Sequence, residues 1–266
     1  MKPYEKTLKN DIKESQEADT LLRIALDIGE GMLKSGGEIN RVESTIERIC
    51  KAYGAEHVEI FAIPSVIIGA IRMKNGEYSS QVRRIDGTEN HLYRLELFNA
   101  ISRKICRGKP SFENVDKMIY EAKHKKSYPI FIRAMAAAIA AGVFAIFFGG
   151  ALKDGVVAAI IGIVIFLIDI IPTGQINRLA KTVIQSFVGG SLACLAVKIG
   201  LGNDIGMIMI GTIMLLIPGV SFGTAFRDLM CGDFLAGSLK TVQCILAALM
   251  IAAGYMLSMF VMGGVI

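Results

Sequence analysis

Charge is spread so unevenly along this chain that its distribution alone limits what the chain can fold into. Of the 53 Lys, Arg, Asp and Glu residues (29 basic, 24 acidic), 41 lie before position 129 and 12 after it. The three histidines, His57, His91 and His124, also fall in the first part. A charge at the centre of a bilayer costs roughly 2.5–3.5 kcal/mol on insertion scales, so membrane segments shed charge. A large water-soluble core would still need polar loops and amphipathic helices between its apolar runs, yet residues 156–168 carry no charge at all. The chain therefore reads as a polar domain over residues 1–128 followed by a helical membrane domain over residues 129–266.

The polar domain reads as mixed α/β. Residues 18–35 have helical periodicity, with Leu22, Ala25, Leu26, Gly29, Met32 and Leu33 on one face, and Gly36-Gly37 stops the helix. A second helix is predicted over residues 38–53, with Ile39, Val42, Ile46 and Ile49 as its buried stripe. The period then changes. Residues 58–63, 65–73 and 81–85 read as strands, with Asn75-Gly76 as a hairpin turn. Residues 90–107 and 112–126 read as helices again.

Five spans are expected in the membrane domain, at about 130–148, 155–171, 183–199, 205–226 and 239–261. One side of the membrane then collects Lys123, Lys125, Lys126, Arg178, Lys181, Arg227 and Lys240, and the other only Lys153 and Lys198. The excess of Lys and Arg places the polar domain in the cytoplasm of a multi-pass cell-membrane protein, with the C-terminus outside. No signal peptide is expected from the polar start. The net charge of +5 divides into +3 (22 basic, 19 acidic) and +2 (7 basic, 5 acidic) across residue 129, too diffuse a field for nucleic acid. Cys50, Cys106, Cys194, Cys231 and Cys244 form no CxxC pair and no metal spacing. Neither a metal nor a cofactor is expected.

The fourth span carries the chemistry. Residues 205–217 are too short to cross, so the span must run through Pro218-Gly219, where proline and glycine break a helix. Ser221 is placed to cap a second half-helix, with Thr224 on the face of Arg227 one turn on. A broken helix inside a membrane lines a cavity or site, and a half-helix N-terminus attracts an anion. The other reading is a plain span that ends at Pro218 and leads into a cytoplasmic loop. Beyond the break stand Arg227-Asp228 and Gly232-Asp233; adjacent residues on a helix diverge, so Arg227 and Asp228 need separate partners. Asp169, three residues before Pro172, is an intramembrane carboxylate or an interfacial one. In the polar domain Glu38, Arg41 and Glu43 crowd a helix start, where acidic residues are favoured by the helix dipole alone. No nucleophile elbow, phosphate loop or metal motif stands out, so an enzyme has little to rest on.

Two stretches resemble the threonine/serine exporter family. Leu33-Lys34-Ser35-Gly36-Gly37-Glu38-Ile39-Asn40-Arg41-Val42-Glu43, with Ala52-Tyr53-Gly54 after it, is similar to that family's cytoplasmic signature, although Ile39-Asn40 stands where members more often carry a Thr. Ile217-Pro218-Gly219, Arg227-Asp228, Gly232-Asp233 and Ser238 resemble its membrane motif. Full-length members have about ten spans, so five resemble a half-size subunit. The resemblance implies export of a small carboxylate, a hydroxyl amino acid or a succinate-like dicarboxylate, with a second, smaller membrane subunit or self-association. The residues themselves leave two alternatives: a membrane-bound enzyme with a hydrolytic cytoplasmic domain, and a regulatory membrane protein that transports nothing.

Overall fold

The computed structural model describes residues 2–125, 128–171 and 177–263, with side chains from Glu17 onward. Pro172 and Lys126, which the sequence reading used, lie outside the described residues. Among those described are ten helices and one three-stranded sheet. The chain forms two compact units. One joins Met1–Lys126 to Val220–Thr241, and the other joins Ser127–Gly219 to Val242–Ile266.

The first unit is built around α1 (Lys2–Lys34), whose apolar stripe of Leu21, Leu22, Ala25, Leu26, Ile28 and Met32 is fully buried. It begins well before the expected residue 18, since the polar opening carries no apolar stripe to mark a helix. A Schellman turn ends it: Gly36, at φ 88°, donates to the Leu33 carbonyl at 3.1 Å, and Gly37 donates to that of Met32 at 3.0 Å. α2 (Ile39–Ala52) buries Ile39, Val42, Ile46 and Ile49, the stripe expected of it. β1 (Ala55–Ile63), β2 (Val66–Met73) and β3 (Tyr78–Arg84) form an antiparallel sheet in chain order, with Ile60 opposite Gly69 and Ile68 opposite Val82. The β2–β3 turn holds Gly76 at φ 91°, as Asn75-Gly76 requires. Ile67 and Ile71 face the core, while β2 lies over α1 where Gly69 approaches Leu22 and Leu26. α3 (Leu92–Gly108) and α4 (Phe112–His124) close the unit. Phe98 of α3 is seated against Gly31 so closely that a Cβ there would overlap its ring.

The second unit packs α5 (Ile130–Phe147), α6 (Leu152–Ile170), α7 (Arg178–Lys198), α8 (Ile205–Leu216) and residues 242–263 of α10 (Phe234–Gly263). Small residues let these helices approach, as in membrane bundles where lipid removes the hydrophobic drive for association. Gly142 faces the Gly155 carbonyl, Gly211 faces that of Ala141, and Gly190 lies against Ser258. In this core the Thr212 and Tyr255 hydroxyls meet at 2.8 Å, and Gln185 donates to the Ile165 carbonyl at 3.2 Å.

Among the described residues three helices, α5, α7 and α10, are long and apolar enough to cross a membrane. α8 and α9 (Gly219–Met230) together make a fourth candidate, broken between them and bent by 56°. α6 has 19 residues, enough for a span, but carries Lys153, Asp154 and Asp169 at its ends.

Candidate functional site

The break between α8 and α9 follows from proline chemistry. Pro218 offers no N–H and forces the preceding residue out of the helical region. Ile217 accordingly sits at φ −63°, ψ 126°, and the next amide, Gly219, turns back to the Ile217 carbonyl at 2.8 Å. Helix resumes at Gly219, so Ser221 lies inside the first turn of α9 and not at its cap. Its hydroxyl accepts instead from the Asn90 amide at 3.2 Å, and the Thr224 hydroxyl donates to the Ser221 carbonyl at 2.9 Å. Arg227 is eight residues past Gly219, about 12 Å along a helix at 1.5 Å per residue.

α9 ends in a second Schellman turn. Gly232, at φ 93°, donates to Leu229, and Asp233 donates to the Asp228 carbonyl at 2.9 Å. This reversal starts α10 beside α9, so Lys240 reaches back to Asp228 with its ammonium 2.7 Å from Oδ2. Asp228 is 1% exposed, and its other oxygen accepts from the Ile39 amide at 3.2 Å. It thus supplies, from 189 residues away, the N-terminal cap of α2 that Glu38 does not supply. Glu38, at the N-cap position, instead turns its carboxylate to the Arg227 guanidinium and to Arg41, whose Nε lies 3.5 Å away. Lys240 also donates to the Gly37 carbonyl at 3.5 Å. Arg227 and Asp228 do have separate partners, which are Glu38 and Lys240.

Two further carboxylates adjoin this core. Glu43 accepts from the Ala62 amide at 2.7 Å, at the edge of β1. Asp233 leaves Oδ2 buried with no hydrogen bond. Burial pushes the Glu43 carboxyl above its ordinary value, and the charges of Asp233 and Asp228 push it further. Burial and Asp228 likewise raise Asp233, against the lowering effect of Lys240. An acid whose pKa rises on folding adds stability at low pH, and that stability is lost as pH climbs through the folded value. Glu43 and Asp233 should therefore stabilise the chain at pH values near or below the ordinary 4.5 and 3.8, and lose that contribution above them. Thermal midpoints in detergent from about pH 4 to about pH 8 should fall less steeply in Glu43→Gln/Asp233→Asn than in wild type. An unchanged slope would mean that neither carboxyl is perturbed.

Asp169 belongs to the other unit. It is 58% exposed at the side chain, 3.6 Å from the Lys181 ammonium, and Lys181 also donates to the Asp169 carbonyl. The sequence reading passed over Asp154. It is 1% exposed at the start of α6 and accepts from the amides of Ala151, Asn203 and Asp204, which ties two loops of the second unit together. Its place in the first turn of a helix was the only local signal. Lys240 was read only as an inner-side charge. Among the described residues no group of His, Cys, Asp and Glu could hold a metal ion.

A family model described as a threonine/serine exporter matches residues 23–262. No curated protein and no solved structure matches the chain significantly.

Proposed function

The chain belongs to the threonine/serine exporter family, and on that premise we propose that it is a half-size exporter subunit that moves a small carboxylate outward using Arg227 as its anion contact. The observation that carries this reading is the pairing of the exposed Arg227 fork with Glu38, a carboxylate already in the position a substrate carboxylate would take. A planar fork binds one carboxylate in two parallel hydrogen bonds, so an incoming substrate takes the place of Glu38 on the fork while Glu38 keeps its contact to Arg41. The half-helix N-terminus at Gly219, about two turns earlier in α9, offers a second contact for the same anion. Hydroxyl amino acids fit this chemistry through their carboxylate, as do dicarboxylates of the succinate class.

In this reading five segments enter the membrane: α5, α6, α7, α8 as far as the break at Pro218, and the part of α10 after Thr241, while α9 packs with the polar domain, where Ser221, Arg227 and Asp228 meet Asn90, Glu38 and Ile39. The first unit's N-terminal part is cytoplasmic and the C-terminus outside, following the Lys and Arg imbalance. Five spans with a broken fourth leave backbone and charges that need protein partners, and a second, smaller membrane subunit or another copy supplies them.

Initial efflux of labelled threonine, serine or succinate from preloaded cells tests this. Efflux should rise above that of empty cells when the chain is produced together with its small partner. Failure of all three substrates to leave faster, with both proteins in the membrane, would sink the transport reading. In the same cells a membrane-impermeant reagent should reach a tag fused at the C-terminus and not one at the N-terminus. Labelling of both would overturn the odd number of spans.

A further inference from the structure

A second polar feature of the first unit is untouched by the export reading. The facing sides of α2 and α3 enclose a groove of about 480 Å³. Arg41 and Arg48 line it from α2, and Arg103 and Arg107 from α3. No Asp or Glu is among its lining residues; Ser44, Thr45, Ser102, Asn40 and Asn99 add neutral hydrogen-bonding groups. The spacing is helical on both sides: 41, 44, 45 and 48 share one face of α2, and 99, 102, 103, 106 and 107 one face of α3.

Four guanidinium groups around one small cavity repel one another unless anions are present. Arg103 has Glu96, at 2.6 Å, and Arg41 has a longer contact to Glu38. Arg48 donates to the Ser44 carbonyl and the Thr45 hydroxyl. Among the described residues neither Arg48 nor Arg107 has a carboxylate partner. The volume lies within the usual range for small-molecule sites, roughly 300–1,000 Å³. Arginine forks match phosphate oxygens in two parallel bonds, and four of them outnumber what a single carboxylate can satisfy. No aromatic side chain lines the groove, so nothing there would stack on a base. Its hydroxyls and amides suit a small hydroxylated body.

We propose that the α2–α3 groove binds a small, base-free ligand bearing at least two phosphoryl groups, whether a free phosphate ester or the headgroup of an anionic lipid. Arg41 gives this site a physical link to the exporter chemistry. It contacts the same Glu38 that holds Arg227, so a phosphate that draws Arg41 into the groove loosens one of the two cations on Glu38.

Cys106 lines the groove and is exposed; Cys231 is also exposed but does not line it. Alkylation of the full chain in neutral detergent, read by peptide mass spectrometry, therefore carries its own control. Inorganic pyrophosphate and fructose 1,6-bisphosphate should each slow Cys106 labelling at least fivefold and leave Cys231 unchanged. Added salt should weaken the effect. Nanodiscs containing phosphatidylinositol phosphate, compared with zwitterionic nanodiscs, separate the lipid source from the free one. Arg48→Ala/Arg107→Ala alters two exposed side chains and should remove protection, and Arg48→Lys/Arg107→Lys should restore only part of it. Protection that persists in the double alanine variant overturns the proposal. So does equal protection by succinate, or none from the soluble phosphates and the anionic nanodiscs alike.

Discussion

Asp228→Ala is expected to destabilise the chain by about 3 kcal/mol or more, the usual result of removing one partner from a buried ion pair. Asp228 is 1% exposed and the Lys240 side chain 13%, so the ammonium left behind has little access to water. The same substitution strips the Ile39 amide of its acceptor at the start of α2. Asp228→Asn should cost less, because its amide oxygen can still accept from Ile39 although the charge is gone. Asp228→Leu/Lys240→Met should recover much of the loss, since replacing both members by apolar groups removes the stranded charge. The readout is the thermal midpoint in detergent, with the expected order wild type, then the double variant and Asp228→Asn, then Asp228→Ala. A midpoint for Asp228→Ala equal to that of wild type would show that Asp228 and Lys240 are both solvated and that α2 needs no cap from α9.

That pair explains why part of the candidate site was legible in the sequence and part was not. Local pattern revealed α2, because Ile39, Val42, Ile46 and Ile49 repeat at helical spacing and all four are buried. It revealed the break at Pro218-Gly219, because proline acts on its immediate neighbours. Divergent partners for Arg227 and Asp228 followed from the angle between adjacent helix positions. The identity of those partners did not. Glu38 and Arg227 are 189 positions apart, as are Ile39 and Asp228, and no period or motif links them. Glu38 looked like an acid favoured by a helix dipole, whereas its carboxylate serves Arg227 and the cap comes from Asp228. Lys240 reads as an inner-side charge, and no local pattern shows that its ammonium pairs with Asp228. Ser221 looked like a cap because serine commonly serves as one, but the helix restarts two residues earlier, immediately after the proline. The early start of α1 escaped for the opposite reason: residues 2–17 are polar and mixed in charge, with no apolar repeat to mark a helix.

Arg227→Ala should reduce export of the labelled carboxylate at least tenfold, to the rate of cells lacking the chain, with its amount in the membrane unchanged. Stability and activity part company here. The Arg227 side chain is 58% exposed, and its partner Glu38, 18% exposed, keeps Arg41 as a second cation when Arg227 is lost, whereas loss of Asp228 takes from Lys240 the carboxylate it pairs with. Arg227→Lys should recover little, because a point charge cannot hold a carboxylate by two parallel bonds. Glu38→Gln separates the two roles the pair could have. If Glu38 competes with substrate for the fork, the neutral amide should lower the concentration needed for half-maximal efflux. If Glu38 only anchors Arg227 in place, efflux should fall and that concentration should rise. Asp228→Asn and Asp233→Asn distinguish support from coupling: a supporting carboxylate gives a loss independent of pH, whereas a proton carrier leaves residual efflux that no longer follows the pH gradient. Each variant needs its surface abundance measured, because Asp228→Asn also weakens the fold. Wild-type efflux from Arg227→Ala would reduce Arg227 to an inner-side anchor, and the anion contact would then have to be sought at the half-helix N-terminus or at Asp169 and Lys181.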